Sequence, residues 1–107
     1  MAINRSNTKV KDMTKEQYVE LERLTRELND TLKAAFEHGD PQCELAQKAC
    51  ELHKHWLLFY WDDYSTEAHI GVTRMYVDDP RFTEYYNEIA PGCAVFLRDA
   101  VLFFAKQ

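Results

Sequence analysis

Residues that interrupt helices are scarce in this chain of 107 residues, which has only three Gly and three Pro. So few turn-forming residues argue against an all-β fold, which needs many tight turns. All of them except Gly71 fall where helices would end or begin. Gly39 is a typical helix terminator, and Asp40-Pro41 and Asp79-Pro80 each place an N-capping residue before a first-turn proline. Together with the break at Ala90-Pro91-Gly92, these positions predict helices joined by short connections.

Apolar residues recur at helical spacing between these breaks. The first predicted helix begins at Thr14, which forms a capping-box pattern with Gln17, and it carries a single apolar stripe. That stripe consists of Tyr18, Leu21, Leu28, Leu32 and Ala35. The very short connection at residues 39–41 predicts that the first two helices fold back as an antiparallel hairpin.

The remaining helices complete an all-α domain of about five helices. The second runs from Pro41 towards Trp61, and the third begins among Asp62, Asp63 and Ser65. A short fourth helix begins at the Asp79-Pro80 signal. The last, from 91 to about 105, carries two adjacent apolar stripes and is expected at the centre of the fold. Residues 13–107 are predicted to form the domain, and residues 1–12, with little to bury, a mobile arm.

Composition and charge exclude several classes of protein. A hydrophobic fraction of 46% with 29% charged residues is typical of a globular domain. The formal charge of -5 disfavours nucleic-acid binding, which needs a concentrated positive field. No apolar run approaches the roughly 20 residues needed to cross a bilayer, and no signal-peptide pattern is found, so a cytoplasmic location without membrane contact is predicted.

The sequence also argues against catalysis and metal binding. Cys43, Cys50 and Cys93 lack metal-ligand spacing and are expected to be reduced, buried residues. His53 and His55 lie on nearly opposite faces of a helix, so no metal site and no cofactor is predicted. Because no nucleophile with its base and no Gly-rich phosphate loop is recognisable, an enzyme is not expected.

One stretch, residues 56–69, concentrates most of the unusual chemistry. It holds both Trp residues of the chain, two neighbouring carboxylates and an imidazole. Its five large rings belong to Trp56, Phe59, Tyr60, Trp61 and Tyr64. Such rings suit either a core or the wall of a pocket, and both interpretations remain open. We place this stretch, the aromatic corner, at the bend between the second and third helices.

The third helix and the segments after it carry a specific motif. It reads His69-x-Gly71-(apolar)-x-x-Met75-Tyr76, then Asp79-x-Arg81-Phe82, and later Ala90-Pro91-Gly92 and Asp99-Ala100-Val101. We expect His69, Met75 and Tyr76 to point inwards and Arg81 to form an ion pair with its acidic neighbours. The motif closely resembles that of the TipAS antibiotic-recognition domain, the ligand-binding domain of thiostrepton-induced regulators of the MerR type.

This resemblance implies a globin-like helical arrangement without haem and a deep cleft lined by aromatic residues. It implies that the chain binds thiopeptides or other antibiotics without chemistry on them, as a drug-sequestering or drug-sensing module. Because no DNA-binding domain precedes Met1, a stand-alone domain is expected. The residues expected at the ligand are Trp56, Phe59, Tyr60, Trp61, Tyr64, His69, Met75, Tyr76, Phe82 and Tyr85.

One departure from the family pattern affects the expected mode of binding. Members that capture thiopeptides covalently carry a Cys just before a Ser-x-x-x-His run, and here that position is Tyr64, or Asp63 if the corner has an insertion. Neither is such a nucleophile at neutral pH, so non-covalent binding is predicted. The alternative function is a protein-interaction or dimerisation module that uses the aromatic surface, and a homodimer remains open.

Overall fold

The computed structural model describes residues 13–107, which form five α-helices and no strand within that range. The helices are α1 (Lys15–His38), α2 (Glu44–Leu57), α3 (Thr66–Asp78), α4 (Pro80–Ile89) and α5 (Cys93–Phe104). The prediction of an all-α domain with about five helices is confirmed. The predicted mobile arm, residues 1–12, lies outside the described residues. No helix in the described part of the chain is long and apolar enough to span a bilayer.

Local capping chemistry starts the helices where the sequence predicts. At α1, the Thr14 hydroxyl accepts a hydrogen bond from the Gln17 amide (3.2 Å), and the Gln17 side chain accepts one from the Thr14 amide (2.8 Å). At α3, the Ser65 hydroxyl accepts a hydrogen bond from the Ala68 amide (3.0 Å). Asp79 caps α4 ahead of its first-turn proline, and Arg81 forms the expected ion pair with the Asp79 carboxylate at 2.8 Å.

Both ends of α2 differ from prediction. Helix α2 begins at Glu44 rather than Pro41, because residues 40–43 form a separate turn and the Cys43 sulfur caps the helix by accepting from the Ala46 amide (3.4 Å). It also ends at Leu57 rather than Trp61. The amides of Tyr60 and Trp61 both donate to the Leu57 carbonyl, which closes the helix in a tight turn.

The start of α5 also differs, because the helix begins at Cys93 rather than Pro91. Gly92 adopts a left-handed conformation with φ of 91°, so the backbone cannot be helical through it. The two-stripe pattern of α5 is confirmed, because Cys93, Leu97 and Val101 are completely buried. Helix α5 packs against all four other helices and is therefore the central element, as predicted.

Two residues expected to point inwards do not. Tyr18 is 44% exposed, because the buried stripe of α1 begins only at Leu21. Met75 is 40% exposed, because the buried stripe of α3 runs through His69, Thr73 and Tyr76, and Met75 precedes Tyr76 by one residue, about 100° around the helix. Helices α1 and α2 pack against each other along their length, as the predicted hairpin requires.

Candidate functional site

The aromatic corner connects α2 to α3 and packs against α1. The indole N–H of Trp56 donates to the Thr25 hydroxyl at 3.0 Å, which fixes the ring of the half-buried Trp56 on α1. The Tyr60 ring lies 4.7 Å from the Trp56 ring, tilted by 50°. Phe59 and Trp61 are also half-buried. The corner is therefore a packed part of the domain whose rings are still partly open to solvent.

Two completely buried histidines lie directly behind the corner. His53 Nδ1 is 2.8 Å from His69 Nε2, and the rings stack 4.9 Å apart. Each histidine also contacts a tyrosine hydroxyl: His69 Nδ1 is 2.7 Å from that of Tyr64, and His53 Nε2 is 3.3 Å from that of Tyr76. The four side chains form a continuous hydrogen-bonded chain, hereafter the histidine chain.

The surroundings of the histidine chain keep both imidazoles neutral. Burial lowers the pKa of His53, and the neighbouring His69 lowers it further. Burial also lowers the pKa of His69, with a smaller contribution from the charge of Lys54. The Trp56 ring stacks on His53 at 5.7 Å, and the Phe104 ring meets His69 edge-on at 6.0 Å. These apolar rings supply much of the environment that disfavours a charge.

A groove of about 450 Å³ opens beside one end of the histidine chain. It lies between α2, the start of α3 and the end of α5, and we call it the Tyr64 groove. Its lining residues are Gln47, Lys48, Glu51, Lys54, Tyr64, Thr66, Phe104 and Gln107. The Lys54 ammonium lies 4.7 Å from the centre of the Tyr64 ring, in a cation–π contact. The groove thus combines two aromatic rings with charged and amide groups.

A polar atom in the wall of this groove lacks a partner among the described residues. The Gln47 side chain donates to the carbonyls of Pro41 (3.1 Å) and Ala100 (3.3 Å), so its NH₂ group is used. Its oxygen is buried and accepts no hydrogen bond there. A buried amide oxygen without a donor costs free energy, and this oxygen has too little exposed surface for a ligand in the groove to reach it directly.

A second groove of about 510 Å³ lies on the α1 side of the corner. We call it the Tyr60 groove. It is lined by Tyr18, Leu21, Glu22, Thr25, Arg26 and Tyr60. It is more open than the Tyr64 groove, and Thr25, which accepts the Trp56 hydrogen bond, forms part of its wall. The aromatic corner therefore separates two grooves on the surface.

The structure distributes the ten predicted ligand residues over three settings. Tyr60 and Tyr64 each line one of the two grooves. The exposed pair, Met75 and Tyr85, lies on the outer faces of α3 and α4, where the Tyr85 hydroxyl accepts from the Asn29 amide (3.1 Å). The other six are buried or half-buried: Trp56, Phe59 and Trp61 in the corner itself, and His69, Tyr76 and Phe82 in the aromatic cluster of packed rings behind it.

Several residues of this region do not stand out in the sequence. The spacing of His53 suggests at most a metal ligand, although His53 lies on the inward stripe of α2 just as His69 lies on that of α3. Two histidines on the inward faces of consecutive helices are a signal that could have suggested their pairing. Gln47 and Phe104 carry no comparable signal, because the groove brings them together from distant parts of the chain. The described residues contain no cluster of three or more His, Cys, Asp or Glu suited to a metal.

An all-helical domain with a buried polar chain ending at an aromatic groove has the features of a small-molecule recognition domain. Comparison with known proteins gives the particular family. The chain belongs to the TipAS antibiotic-recognition domain family, whose profile matches residues 1–104. The resemblance of the sequence motif to this family is thereby confirmed.

The relatives are regulators of transcription. The chain is 32% identical over 102 residues to the HTH-type transcriptional activator TipA of Streptomyces coelicolor and to that of Streptomyces lividans; in each case the match covers 94% of this chain and 40% of TipA. It is 29% identical over 76 residues to the activator mta of Bacillus subtilis, covering 71% of this chain and 29% of mta. The chain thus spans less than half the length of these relatives.

A solved structure supports the same assignment. The TipAS domain of Streptomyces lividans, determined in complex with nosiheptide as part of a thiopeptide antibiotic multidrug resistance system, superimposes with a TM-score of 0.76. The two chains are 33% identical, and the match covers 98% of this chain and 74% of the other. The fold expected from the motif is therefore the fold observed.

Proposed function

We propose that this chain binds a thiopeptide antibiotic, or another large and mostly apolar drug, in the Tyr64 groove. Membership of the family and the nosiheptide complex of the Streptomyces lividans domain support the ligand class. The observation that carries the choice of groove is Tyr64 itself. It stands immediately before the Ser65-x-x-x-His69 run, where capturing members of the family carry Cys, and it lines this groove.

The lining of the groove suits such a ligand. Tyr64 and Phe104 offer flat apolar surfaces, while Lys54 offers a donor for peptide carbonyl groups. At about 450 Å³ the groove encloses only part of a thiopeptide macrocycle, so the rest of the ligand lies across the corner. There it contacts the partly open rings of Phe59 and Trp61. Binding sequesters the drug or reports its presence to a regulator.

The environments of the cysteines support non-covalent binding. Addition to a dehydroalanine requires a thiolate, and burial raises the pKa of Cys50 to about 12 and that of Cys93 to about 11. Cys43 is only partly buried, but it lines neither of the two grooves beside the corner. Intact mass after incubation with a dehydroalanine-bearing thiopeptide is therefore expected to show no adduct.

A variant with a cysteine introduced at residue 64 provides a second test of the mode of binding. Tyr64→Cys places a partly exposed thiol at the capturing position and is expected to form a one-to-one adduct, whereas Asp63→Cys is the control for the shifted alignment. An adduct on the unchanged protein would contradict non-covalent binding. An adduct on the Asp63→Cys variant alone would place the capturing position at residue 63.

Binding itself is tested by tryptophan fluorescence during titration with nosiheptide. Trp56 and Trp61 report on the corner, and Trp56→Phe and Trp61→Phe separate their signals. Tyr64→Ala is expected to weaken binding by about tenfold or more, as for a central aromatic contact, while Tyr60→Ala is the matched control in the other groove. The reverse order would move the ligand to the Tyr60 groove. No saturable response to nosiheptide would contradict this function.

A further inference from the structure

The histidine chain runs from the Tyr64 groove into the core. Tyr64 forms its outer end, and Tyr76, whose hydroxyl also interacts with that of Tyr86, forms its inner end. Between them, His69 and His53 are completely buried and meet nitrogen to nitrogen at 2.8 Å. Burial of neutral polar side chains in this way costs free energy unless each contact has one donor and one acceptor.

Counting protons leaves two arrangements of this chain. A neutral imidazole has one N–H and one lone pair, so the contact between the two rings needs an N–H from one ring only. In the inward arrangement, Tyr64 donates to His69 Nδ1, His69 Nε2–H donates to His53 Nδ1, and His53 Nε2–H donates to the Tyr76 oxygen. In the outward arrangement, Tyr76 donates to His53 Nε2, His53 Nδ1–H donates to His69 Nε2, and His69 Nδ1–H donates to the Tyr64 oxygen. Both histidines therefore carry the proton on Nε2 in the inward arrangement and on Nδ1 in the outward arrangement.

Any mixed arrangement is strongly disfavoured. If His53 carried its proton on Nδ1 while His69 carried one on Nε2, two N–H groups would point at each other across 2.8 Å. The opposite mixture would place two lone pairs there. Neither histidine is exposed to solvent, so water cannot relieve either mixture. The direction of hydrogen-bond donation at one end of the histidine chain is therefore coupled to the direction of donation at the other end.

We propose that His53 and His69 form a tautomeric relay that decides whether the Tyr64 hydroxyl offers the groove an acceptor or a donor. In the inward arrangement the Tyr64 proton is directed to His69, so only oxygen lone pairs remain for a ligand N–H. In the outward arrangement Tyr64 accepts from His69, and its proton is free for a ligand carbonyl. One residue thus matches either half of a peptide group, and His53 acts as a positioning residue.

The two arrangements contain the same atoms and the same number of protons. During a local opening, each imidazole gives one N–H proton to water and takes one from water on its other nitrogen, while the two hydroxyls rotate. No net charge is gained or lost. A ligand in the groove selects the arrangement that complements it, which suits a site that must accept ligands with different polar groups.

The relay is tested first in the ligand-free protein by ¹H–¹⁵N correlation spectra of the imidazole nitrogens at pH 7.5. Tyr76→Phe removes the hydroxyl facing His53 Nε2, and a buried N–H without an acceptor is avoided more strongly than an unused lone pair. The variant is therefore expected to hold both histidines with the proton on Nδ1. Tyr85→Phe, which removes a hydroxyl that contacts Asn29 rather than the histidine chain, is the matched control and is expected to leave the wild-type pattern unchanged. A Tyr76→Phe variant in which His69 keeps its proton on Nε2, or unlike tautomers in the wild type, would overturn the relay.

The effect on recognition rests on the proposed function and is tested with nosiheptide in a double-mutant cycle. Tyr76→Phe is expected to change the dissociation constant by about fivefold, the value of one ordinary hydrogen bond. In a Tyr64→Phe background the same substitution is expected to change nothing, because the relay acts only through that hydroxyl. An equal change in both backgrounds would refute the relay's role in binding. Failure of wild-type protein to bind nosiheptide would instead refute the proposed function, and the imidazole spectra would still decide the relay.

Discussion

At the scale of single residues, the buried histidine pair links the candidate site to the stability of the domain. His53 and His69 lie in the aromatic cluster, and burial is the largest cause of the lowered pKa of each. Their pKa values in the folded state therefore lie well below the value of about 6.5 for an unfolded histidine. The folded protein binds fewer protons than the unfolded chain as the pH falls.

This difference predicts a loss of stability in mild acid. A group with a lowered folded pKa that is neutral when deprotonated stabilises the fold fully above a pH of about 6.5 and progressively less below it. Lowering the pH from 7.5 to 5.5 is expected to reduce the free energy of unfolding by roughly 2–3 kcal/mol, because the two histidines contribute about equally. Urea unfolding at both pH values measures this change in the free energy of unfolding.

His55→Gln, at an exposed position of the same helix, is the matched control and is expected to retain the full loss. Free energies of unfolding that agree at the two pH values would show that the pair is not neutral and buried as described. The apolar stripes place His53 and His69 on the inward faces of their helices, but they do not determine that the two rings meet, because that depends on the rotation of each helix about its axis. Spacing alone does not determine that rotation.

At the scale of the helices, local chemistry accounts for most boundaries. The caps at Thr14 and Asp79 and the left-handed glycine at 39 are all recognisable in the sequence, because each depends on neighbours within a few residues. The end of α2 is not recognisable there. Its last residues are apolar and compatible with a longer helix, and the turn after Leu57 is set by the packing of Trp56 and Tyr60 rather than by a terminating residue.

Replacing each of two glycines by alanine is predicted to change the stability of the fold in opposite directions. Gly39 has φ of 94° at the end of α1, so Gly39→Ala is expected to destabilise the fold by about 1 kcal/mol, although the space around it is open. Gly71 lies within α3 with helical geometry, and a methyl group there would meet nothing within 4 Å, so Gly71→Ala is expected to stabilise by roughly 0.5–1 kcal/mol. The midpoints of urea unfolding compare the two directly, and a shift of the same sign in both variants would contradict this account.

At the scale of the whole molecule, α5 is the central helix against which the other four helices pack. Half of the residues of α5 are buried, and it contacts every other helix. The two-stripe pattern makes this central position predictable. The Tyr64 groove is not predictable, because it lies between α2, the start of α3 and the end of α5, and its lining residues come from segments far apart in the sequence. The packed centre around α5 and the groove at its margin are therefore expected to respond differently to a bound ligand.

Hydrogen exchange tests this arrangement. The first turns of α1, residues 15–20, are fully on the surface, and the buried stripe begins only at Leu21, so their amides are expected to exchange fastest among the helices. Amides in α5 are expected to exchange most slowly, near the rate set by global unfolding. Equal protection of α1 and α5 without ligand would contradict the central role of α5.

Addition of nosiheptide separates a local effect from a global one. A ligand that binds only the folded state slows global unfolding, so the slowest amides, those of α5, are expected to slow with any bound ligand wherever it lies. Amides in residues 57–66 exchange by local opening, and they are expected to slow only if the ligand covers the corner beside the Tyr64 groove. Slowing in α5 without any change in residues 57–66 would therefore show that the drug binds elsewhere on the domain.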